Sequence, residues 1–305
     1  MGHYLLRRFI QAIIVLWGAT VLAFGMMFVG GNPTMLMVSP NWTKSEVRQF
    51  EVLMGFNKPW WVQYLHYLGG VLHGNFGVSL QQQQPVLQLV LQRMPATAEL
   101  AATGMLIALV IALPAGVLAA SRRGSALDIV STVGALFGQS IPQFWLGLML
   151  LLVFSVLLGW FPVQGIGGVS HLVLPAVTLS MFPLALFTRL TRSSVLEVLA
   201  QDYIKTARAK GLSQRVVLYK HALRNAFIPV MTIMGLNLGF LLGGVVVIEQ
   251  VFDWPGVGLL TLNAVESKDF PLVVGAVTVA AIIFVTINLV VDLMYGVLDP
   301  RIHYA

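Results

Sequence analysis

The 305-residue chain has no cysteine and few charges: only 10% of its residues are Asp, Glu, Lys or Arg, whereas 57% are hydrophobic. The missing cysteine excludes disulfides, thiol catalysis and thiolate metal sites. Soluble globular chains carry about 25% charged residues, so the scarcity of charge argues against a water-soluble enzyme. So much apolar surface also excludes a disordered chain. With a mean hydropathy of +0.84, the composition indicates an integral membrane protein.

Uncharged apolar runs predict an all-α protein with six transmembrane helices, because about 20 helical residues cross the hydrocarbon core. The six runs cover residues 9–29, 100–120, 141–159, 172–187, 226–248 and 271–291. Residues 129–137 are also apolar, and we interpret them as an interfacial or partly buried lead-in to the third span. The longest loops are then 30–99 and 194–224, within one transmembrane domain over 1–305.

Lysine and arginine are unevenly divided between the two sides that these spans define. Thirteen of the 18 lie on the side that holds both termini, in residues 1–8, 121–140, 188–225 and 292–305. The positive-inside rule therefore predicts cytoplasmic termini and places loop 30–99 outside. The net positive charge of +6 is thus explained by membrane topology, which argues against nucleic-acid binding. A cleavable signal peptide is the alternative for residues 9–29, but 21 residues exceed a usual signal core, and Gly30–Pro33 is a poor cleavage site.

The sequence lacks the common catalytic motifs, so we predict no catalytic residue and no metal site. It has no Gly-rich phosphate loop of the G-x-x-x-x-G-K-[S/T] type, no H-E-x-x-H and no G-x-S-x-G. No ionisable residue stands in the middle of a predicted span. Proton- or voltage-driven devices usually carry such charges inside the membrane. The chain therefore has no evident energy source of its own.

The most polar part of the chain is the cytoplasmic segment 194–224. Ser194 and Glu197 form a capping box, which predicts that a helix starts there. An apolar or small stripe follows at Leu196, Leu199, Tyr203 and Ala207, and Gly211 suits the position just after the helix end. Ser213 then caps a second helix that runs through Arg224. With no partner in its own chain, such a helix favours docking into a groove elsewhere, and binding to anionic lipid is the alternative.

Two long motifs in this segment resemble the EAA loop of ATP-binding-cassette (ABC) importer permeases, in the version of the dipeptide/oligopeptide/nickel permease family. They read DYIKTARAKG over 202–211 and HALRNAFIP over 221–229. Residues 249–258, EQVFDWPGVG, resemble a second motif of that family, as do GNFGVS at 74–79 and the ending at 291–301. The chain departs from the pattern at Asn32, where Asp is common, and at Lys205, where the general EAA loop has Glu.

The resemblance implies a type I ABC importer-like permease subunit, multi-pass in the bacterial inner (plasma) membrane. Its implied partners are a second homologous permease, two ATPase subunits and an extracytoplasmic substrate-binding protein, besides membrane lipid. ATP and magnesium would bind the ATPases, so this chain is expected to be no enzyme and to hold no cofactor. The implied substrates are dipeptides, oligopeptides or glutathione, with nickel chelates or haem as alternatives. A stand-alone channel or secondary carrier is the rival class, and it would need more internal polar residues.

The resemblance and the local patterns together give three groups of candidate site residues. The ATPase-coupling group comprises Asp202, Tyr203, Thr206, Ala207, Arg208, Ala209, Lys210 and Gly211. The proposed outer gate or binding-protein dock comprises Glu249, Phe252, Trp254, Pro255 and Gly256. The helix-packing or pathway group comprises Gly235, Asn237, Gly239 and Gly243. The glycines follow a G-x-x-x-G spacing that lets helices approach closely, either to the partner permease or within this chain.

Overall fold

Helices make up nearly all regular structure in the computed structural model, which describes residues 2–29, 33–38, 41–242 and 245–298. Their bounds are α1 Gly2–Val29, α2 Pro33–Met37, α3 Lys44–Met54, α4 Trp60–Leu72, α5 Val86–Ser121, α6 Ala126–Ser140, α7 Gln143–Leu150, α8 Val169–Leu199, α9 Asp202–Ala209, α10 Gln214–Val216, α11 Leu223–Leu242, α12 Val246–Val251, α13 Val257–Glu266 and α14 Phe270–Leu298. Two π-helical segments continue α7 and α10, at Leu151–Leu157 and Val217–Ala222. The all-α prediction is confirmed.

Several of these helices are long and apolar enough to cross a membrane, so the chain is a multi-pass membrane protein. Four segments qualify alone: Leu6–Phe28, Val86–Ser121, Val169–Leu199 and Phe270–Val291. Helix α6 and the helix Gln143–Leu157 qualify together as a pair bent by 98°. Residues 129–137 are thus helical, inside α6. The count of six spans and the cytoplasmic position of the termini stay predictions.

Helix α8 corrects two expectations about the fourth span. The span was expected over 172–187 with a new helix from Ser194, yet α8 runs unbroken from Val169 to Leu199. Polar residues inside α8 do not end the helix. Thr188 Oγ1, for example, donates a hydrogen bond to the Leu184 carbonyl of the same helix at 2.8 Å. Ser194 is buried mid-helix, where its backbone N–H needs no cap. The cations Arg189 and Arg192 thus lie within α8 and do not mark its end.

The chain divides into two compact units. The first holds those residues of 1–97, 242–246 and 255–305 that the structure describes. Helix α1 packs along α14. Phe24, Met27 and Tyr64 form one apolar cluster there with Val274. A second cluster includes Phe76, Val86, Leu260 and Leu272. Tyr64 and Phe76, which belong to the predicted loop 30–99, are thus buried in these clusters.

Asp269 ties the turn after residue 78 to the start of α14. Its carboxylate accepts hydrogen bonds from Ser79 Oγ at 2.5 Å and from the backbone N–H groups of Leu80, Gln81 and Leu272 at 3.2–3.3 Å. Asp269 and Ser79 are both buried, at 1% and 0% exposure. One carboxylate therefore caps α14 and fixes a loop almost 190 residues away in sequence.

The second unit holds residues 98–241 and 247–254. Helix α8 is central to it, because α6 and α7 both pack against α8. Helix α5 approaches α8 through small residues: Gly104 faces Leu179, and Gly116 faces Thr188 and Thr191. An alanine Cβ at Gly116 would lie 2.8 Å from the Thr188 carbonyl oxygen. The close approach thus depends on the missing side chain.

Candidate functional site

Residues 200–224, which the sequence predicts to be cytoplasmic, form a hairpin that contains α9, a turn, α10 and the second π-helical segment. We name it the cytoplasmic hairpin after that prediction. Helix α9 ends at Ala209, and Gly211 follows with φ +78°, the left-handed conformation that glycine adopts without strain. The Gly211 N–H donates to the Arg208 carbonyl at 2.9 Å. Ser213 stands at the N-cap position of the second limb with extended backbone, but its side chain makes no capping hydrogen bond, so the predicted side-chain cap is wrong. The predicted helix-glycine-helix arrangement is confirmed, with its first helix starting at Asp202 instead of Ser194.

The second limb corrects the expected end of the hairpin. A helix was predicted through Arg224, followed by a fifth span over 226–248. The structure instead continues through the π-helical segment Val217–Ala222 into α11, and Pro229 lies inside α11. The hairpin is therefore directly continuous with a long apolar helix, with no intervening loop.

The apolar face of α9 packs on its own chain. Ile204 and Ala207 form a buried cluster with Val217 and Ala222 of the second limb, next to Val198 and Leu199. Ile204 is 0% exposed and Ala207 is 7% exposed. The expectation that the predicted stripe lacks a partner in its own chain is wrong for Ala207, because the second limb folds back and covers it, whereas Tyr203 of the same stripe is exposed. Ala207 therefore packs inside the hairpin and is not part of its exposed surface.

The opposite face of α9 remains open to solvent. Its exposed residues are Asp202, Tyr203, Lys205, Thr206, Arg208, Ala209 and Lys210. Asp202 and Lys205 pair at 2.8 Å, but both side chains are well exposed and such a pair adds little stability. On the second limb Tyr219 is also exposed, at 52%. The exposed surface of the hairpin thus carries cations, including Lys205, Arg208 and Lys210, the rings of Tyr203 and Tyr219, and the small residue Ala209.

One buried cluster anchors the base of the hairpin, and a separate ion pair joins two helices of the same unit. Leu218 and Ala226 pack with Val117 and Val195 in a buried cluster, which joins the second limb to α5 and α8. Nearby, Asp128 accepts two hydrogen bonds from the Arg192 guanidinium, at 2.5 and 2.9 Å. This bidentate pair joins α6 to α8.

Sequence reasoning missed the Asp128–Arg192 pair. The available signal was Ser125 three residues before Asp128: the Ser125 hydroxyl accepts from the Asp128 N–H and caps α6. Asp128 Oδ2 also accepts from the Gly124 N–H at 2.9 Å. An acidic residue so placed in a basic cytoplasmic segment predicts a helix start. Its partner on another helix required the fold.

The outer-motif residues form a tight turn around buried side chains. Glu249 and Trp254 are 0% and 1% exposed, and Phe252 is 2% exposed. The chain reverses at Asp253, whose φ is +49°, and the Trp254 N–H donates to the Glu249 carbonyl at 2.7 Å. Gly256 has ordinary extended backbone. The left-handed residue of this turn is therefore Asp253, which precedes Pro255 and Gly256.

The pathway group is only partly described. Gly235 and Gly239 are buried in α11, whereas Gly243 lies outside the described residues. Asn237 Nδ2 donates to the Ile233 carbonyl of its own helix at 2.8 Å. Its amide donor is thus used within α11. Among the residues that the structure describes, no group of three or more His, Asp or Glu is placed to hold a metal ion.

Comparison with known proteins gives consistent matches along the chain. Residues 112–304 match the model of a binding-protein-dependent transport system inner membrane component, and residues 1–101 match the N-terminal model of such a membrane component. The oligopeptide transport system permease protein AppB of Bacillus subtilis is 42% identical over 100% of both chains. The dipeptide permease protein DppB of Escherichia coli K12 is 40% identical, over 100% of this chain and 99% of its own length.

Two further matches add a different substrate name and a solved fold. The glutathione transport system permease protein GsiC of Escherichia coli K12 is 39% identical over 100% of both chains. A solved structure of the MetNI methionine ABC transporter, in inward-facing form, matches with a TM-score of 0.59 at 18% identity. That match covers 70% of this chain and 97% of the other. The structural likeness concerns the fold alone.

Proposed function

The chain belongs to the family of binding-protein-dependent transport system inner membrane components, and from this membership we propose that it carries peptides or glutathione into the bacterial cytoplasm. It is a permease subunit of an ABC transporter, and it works with other ABC subunits. The substrate proposal rests on full-length relatives named for oligopeptides, dipeptides and glutathione. Nickel chelates and haem are the substrate alternatives. We place the chain in the inner membrane, as the family description states for its members.

We propose the following assembly. A second, homologous permease pairs with this chain, two ATPase subunits bind on the cytoplasmic side, and an external binding protein delivers the substrate. ATP and Mg²⁺ bind the ATPases, and this chain itself catalyses no reaction. The proposal explains why no energy-coupling motif occurs in the sequence. A stand-alone channel or secondary carrier remains the rival, and it would function without any ATPase.

The observation that carries the coupling proposal is the build of the cytoplasmic hairpin. Its inner face is packed by Ile204 and Ala207, its base is joined to α5 and α8 through Leu218, and its outer face is free for a partner. We propose that ATP closes the ATPase dimer and displaces this hairpin. Because the hairpin continues directly into α11, its displacement biases the spans between inward- and outward-facing states.

Substitution of Ala209 tests the docking face. Ala209→Arg adds a long charged side chain at the exposed surface of α9, so we expect ATPase retention in co-purification to fall about tenfold or more, as for a central interface residue. The unfolding temperature of the purified chain should stay unchanged. The chain would be co-expressed with the partner subunits encoded beside it, extracted in mild detergent, and assayed for bound ATPase and ATP hydrolysis.

Ala207→Arg is the matched contrast, because it places the same side chain in the buried cluster of the hairpin. It should lower both ATPase retention and the unfolding temperature. If Ala209→Arg retains full ATPase binding and transport, the exposed face of α9 does not dock the ATPase. If even the unaltered chain purifies without any ATPase, the carrier or channel alternative is favoured.

The outer turn gives a separate prediction. We propose that residues 249–256 form part of the outer gate or the dock of the binding protein. Replacing Pro255 and Gly256 by alanine should impair uptake severalfold while the complex still assembles, since Gly256 has a backbone that alanine adopts freely. Uptake by cells and co-purification of the complex are the two measurements. Normal uptake by the double variant would contradict this role.

A further inference from the structure

One hydrogen bond joins the two ends of the cytoplasmic hairpin. Asn225, in the first turn of α11, donates through Nδ2 to the Tyr203 hydroxyl in the first turn of α9, at 2.7 Å. The two residues are 22 positions apart in sequence. In the described part of the chain it is the one side-chain hydrogen bond between α9 and α11. It therefore joins a proposed docking helix to a long apolar helix.

Two features of the intervening chain give such a link a role. The turn at Gly211 is left-handed and exposed. The segment Val217–Ala222 is π-helical, a form that occurs in short stretches and often at functional positions. Either place can bend when α9 is pushed. A direct link between α9 and α11 adds to the continuous backbone a second path for a push on α9, and this path bypasses both places.

The burial of the pair separates this link from the packing of the hairpin. Tyr203 is 42% exposed and Asn225 is exposed, so water replaces the hydrogen bond at small cost when it breaks. The hairpin itself is held by the buried cluster around Ile204. Loss of the hydrogen bond should therefore leave the hairpin folded and change only its angle to α11.

We propose that Tyr203 and Asn225 form a latch that makes α9 and α11 move as one body when the ATPase displaces the hairpin. This inference rests on the proposed function, and it adds Asn225 as a positioning residue that acts through Tyr203. The latch converts a push on α9 into movement of α11. With the latch open, the same push bends the turn and the π-helical segment.

The test uses the absence of cysteine from the chain. Cysteines introduced at Gln201, just before α9, and at Leu236 on α11, both exposed, would carry a spin-label pair in the complete complex with its ATPases. The measurement is the distance distribution between the labels, without nucleotide and with a non-hydrolysable ATP analogue. We expect one narrow distribution in both states for the otherwise unaltered chain.

Tyr203→Phe removes only the hydroxyl and should broaden the distribution when the ATP analogue binds. The population at the original distance should fall roughly fivefold, which corresponds to the loss of one net hydrogen bond. Tyr219→Phe is the matched control: Tyr219 is 52% exposed on the second limb, and it should keep the narrow distribution. Asn225→Asp should also keep it, because the Tyr203 hydroxyl can donate to a carboxylate. Tyr203→Phe combined with Asn225→Asp should be as broad as Tyr203→Phe alone.

The outcomes separate the latch from the proposed function. If Tyr203→Phe stays narrow with ATPases bound, the latch is overturned and the permease function stands. If Tyr219→Phe broadens the distribution as much as Tyr203→Phe, the effect is not specific to the hydrogen bond and the latch is also overturned. If no ATPase co-purifies with the unaltered chain, the proposed coupling fails first.

Discussion

Gly116→Ala is expected to destabilise the chain and to prevent assembly of the transporter. The added Cβ would lie 2.6 Å from Thr191 Cβ and 2.8 Å from the Thr188 carbonyl oxygen. The second atom belongs to the backbone of α8, so no side-chain rotation relieves the clash. Helix α5 must move away from α8, and overpacking of this kind costs about 1–3 kcal/mol. Because the base of the hairpin packs on α5 and α8, the shift also reaches the proposed ATPase site.

Gly134→Ala is the matched control. Gly134 lies in α6 of the same unit, and a Cβ there would meet nothing within 4 Å. Alanine is the better helix former by about 1 kcal/mol, so this variant should be neutral or slightly more stable. Thermal unfolding in detergent and co-purification with the ATPases are the measurements. Equal behaviour of the two variants would show that α5 and α8 do not pack through Gly116.

The helix-packing glycines illustrate what a sequence pattern can and cannot predict. The G-x-x-x-G spacing was read at Gly235 and Gly239, and both are buried in α11. Helix α5 carries an equivalent stripe, Gly104, Ala108, Ala112 and Gly116, at the same spacing of four, with both alanines at 0% exposure. Alanine and glycine are both common in apolar helices, so such a stripe does not stand out in sequence. Only the position of Thr188 shows which glycine cannot be replaced.

The cytoplasmic hairpin likewise combines features that local sequence predicts with features that depend on the fold. Gly211 was predicted correctly because a helix end is a local feature, determined by the few residues around it. The start at Ser194 was wrong because a capping box is equally local, and it carries no information about whether a helix already runs through it. The identity of the face that packs inside depends on Val217 and Ala222, which return from the second limb. An amphipathic pattern predicts that a face is covered, but it does not predict by which element.

The first unit, which includes residues 1–97, was the least predictable part. Loop 30–99 was predicted only as an outer loop, whereas its residue Tyr64 packs in a buried cluster with Phe24. Asp269 was not identified at all. Its local signal is an Asp followed by Phe270, Pro271 and an apolar run, which is an N-cap pattern with proline early in the helix. Its second function, holding the turn at Ser79, depends on a contact almost 190 residues away.

Asp269→Ala is expected to destabilise strongly the first unit, which holds both Asp269 and Ser79. Four donors lose their acceptor at once, from Ser79, Leu80, Gln81 and Leu272. Ser79 is fully buried, so water cannot easily replace the carboxylate. Unsatisfied buried donors cost about 1–3 kcal/mol each, and the total loss should be roughly 3 kcal/mol or more. Thermal unfolding in detergent measures the loss, and proteolysis near residues 79–84 should increase because the turn is released.

Asp269→Asn separates the charge and the acceptors from the volume of the side chain. The amide keeps one acceptor oxygen and turns an N–H₂ group toward donors, so the loss should be clear but smaller than for alanine. Glu266→Gln makes the same acid-to-amide change at an exposed residue of the same unit and should leave stability unchanged within about 0.5 kcal/mol. Ser79→Ala combined with Asp269→Asn should lose less than the sum of the two single variants, because both remove the same contact. Strict additivity would mean that Asp269 acts only as the cap of α14, and that the turn at Ser79 is held by other groups.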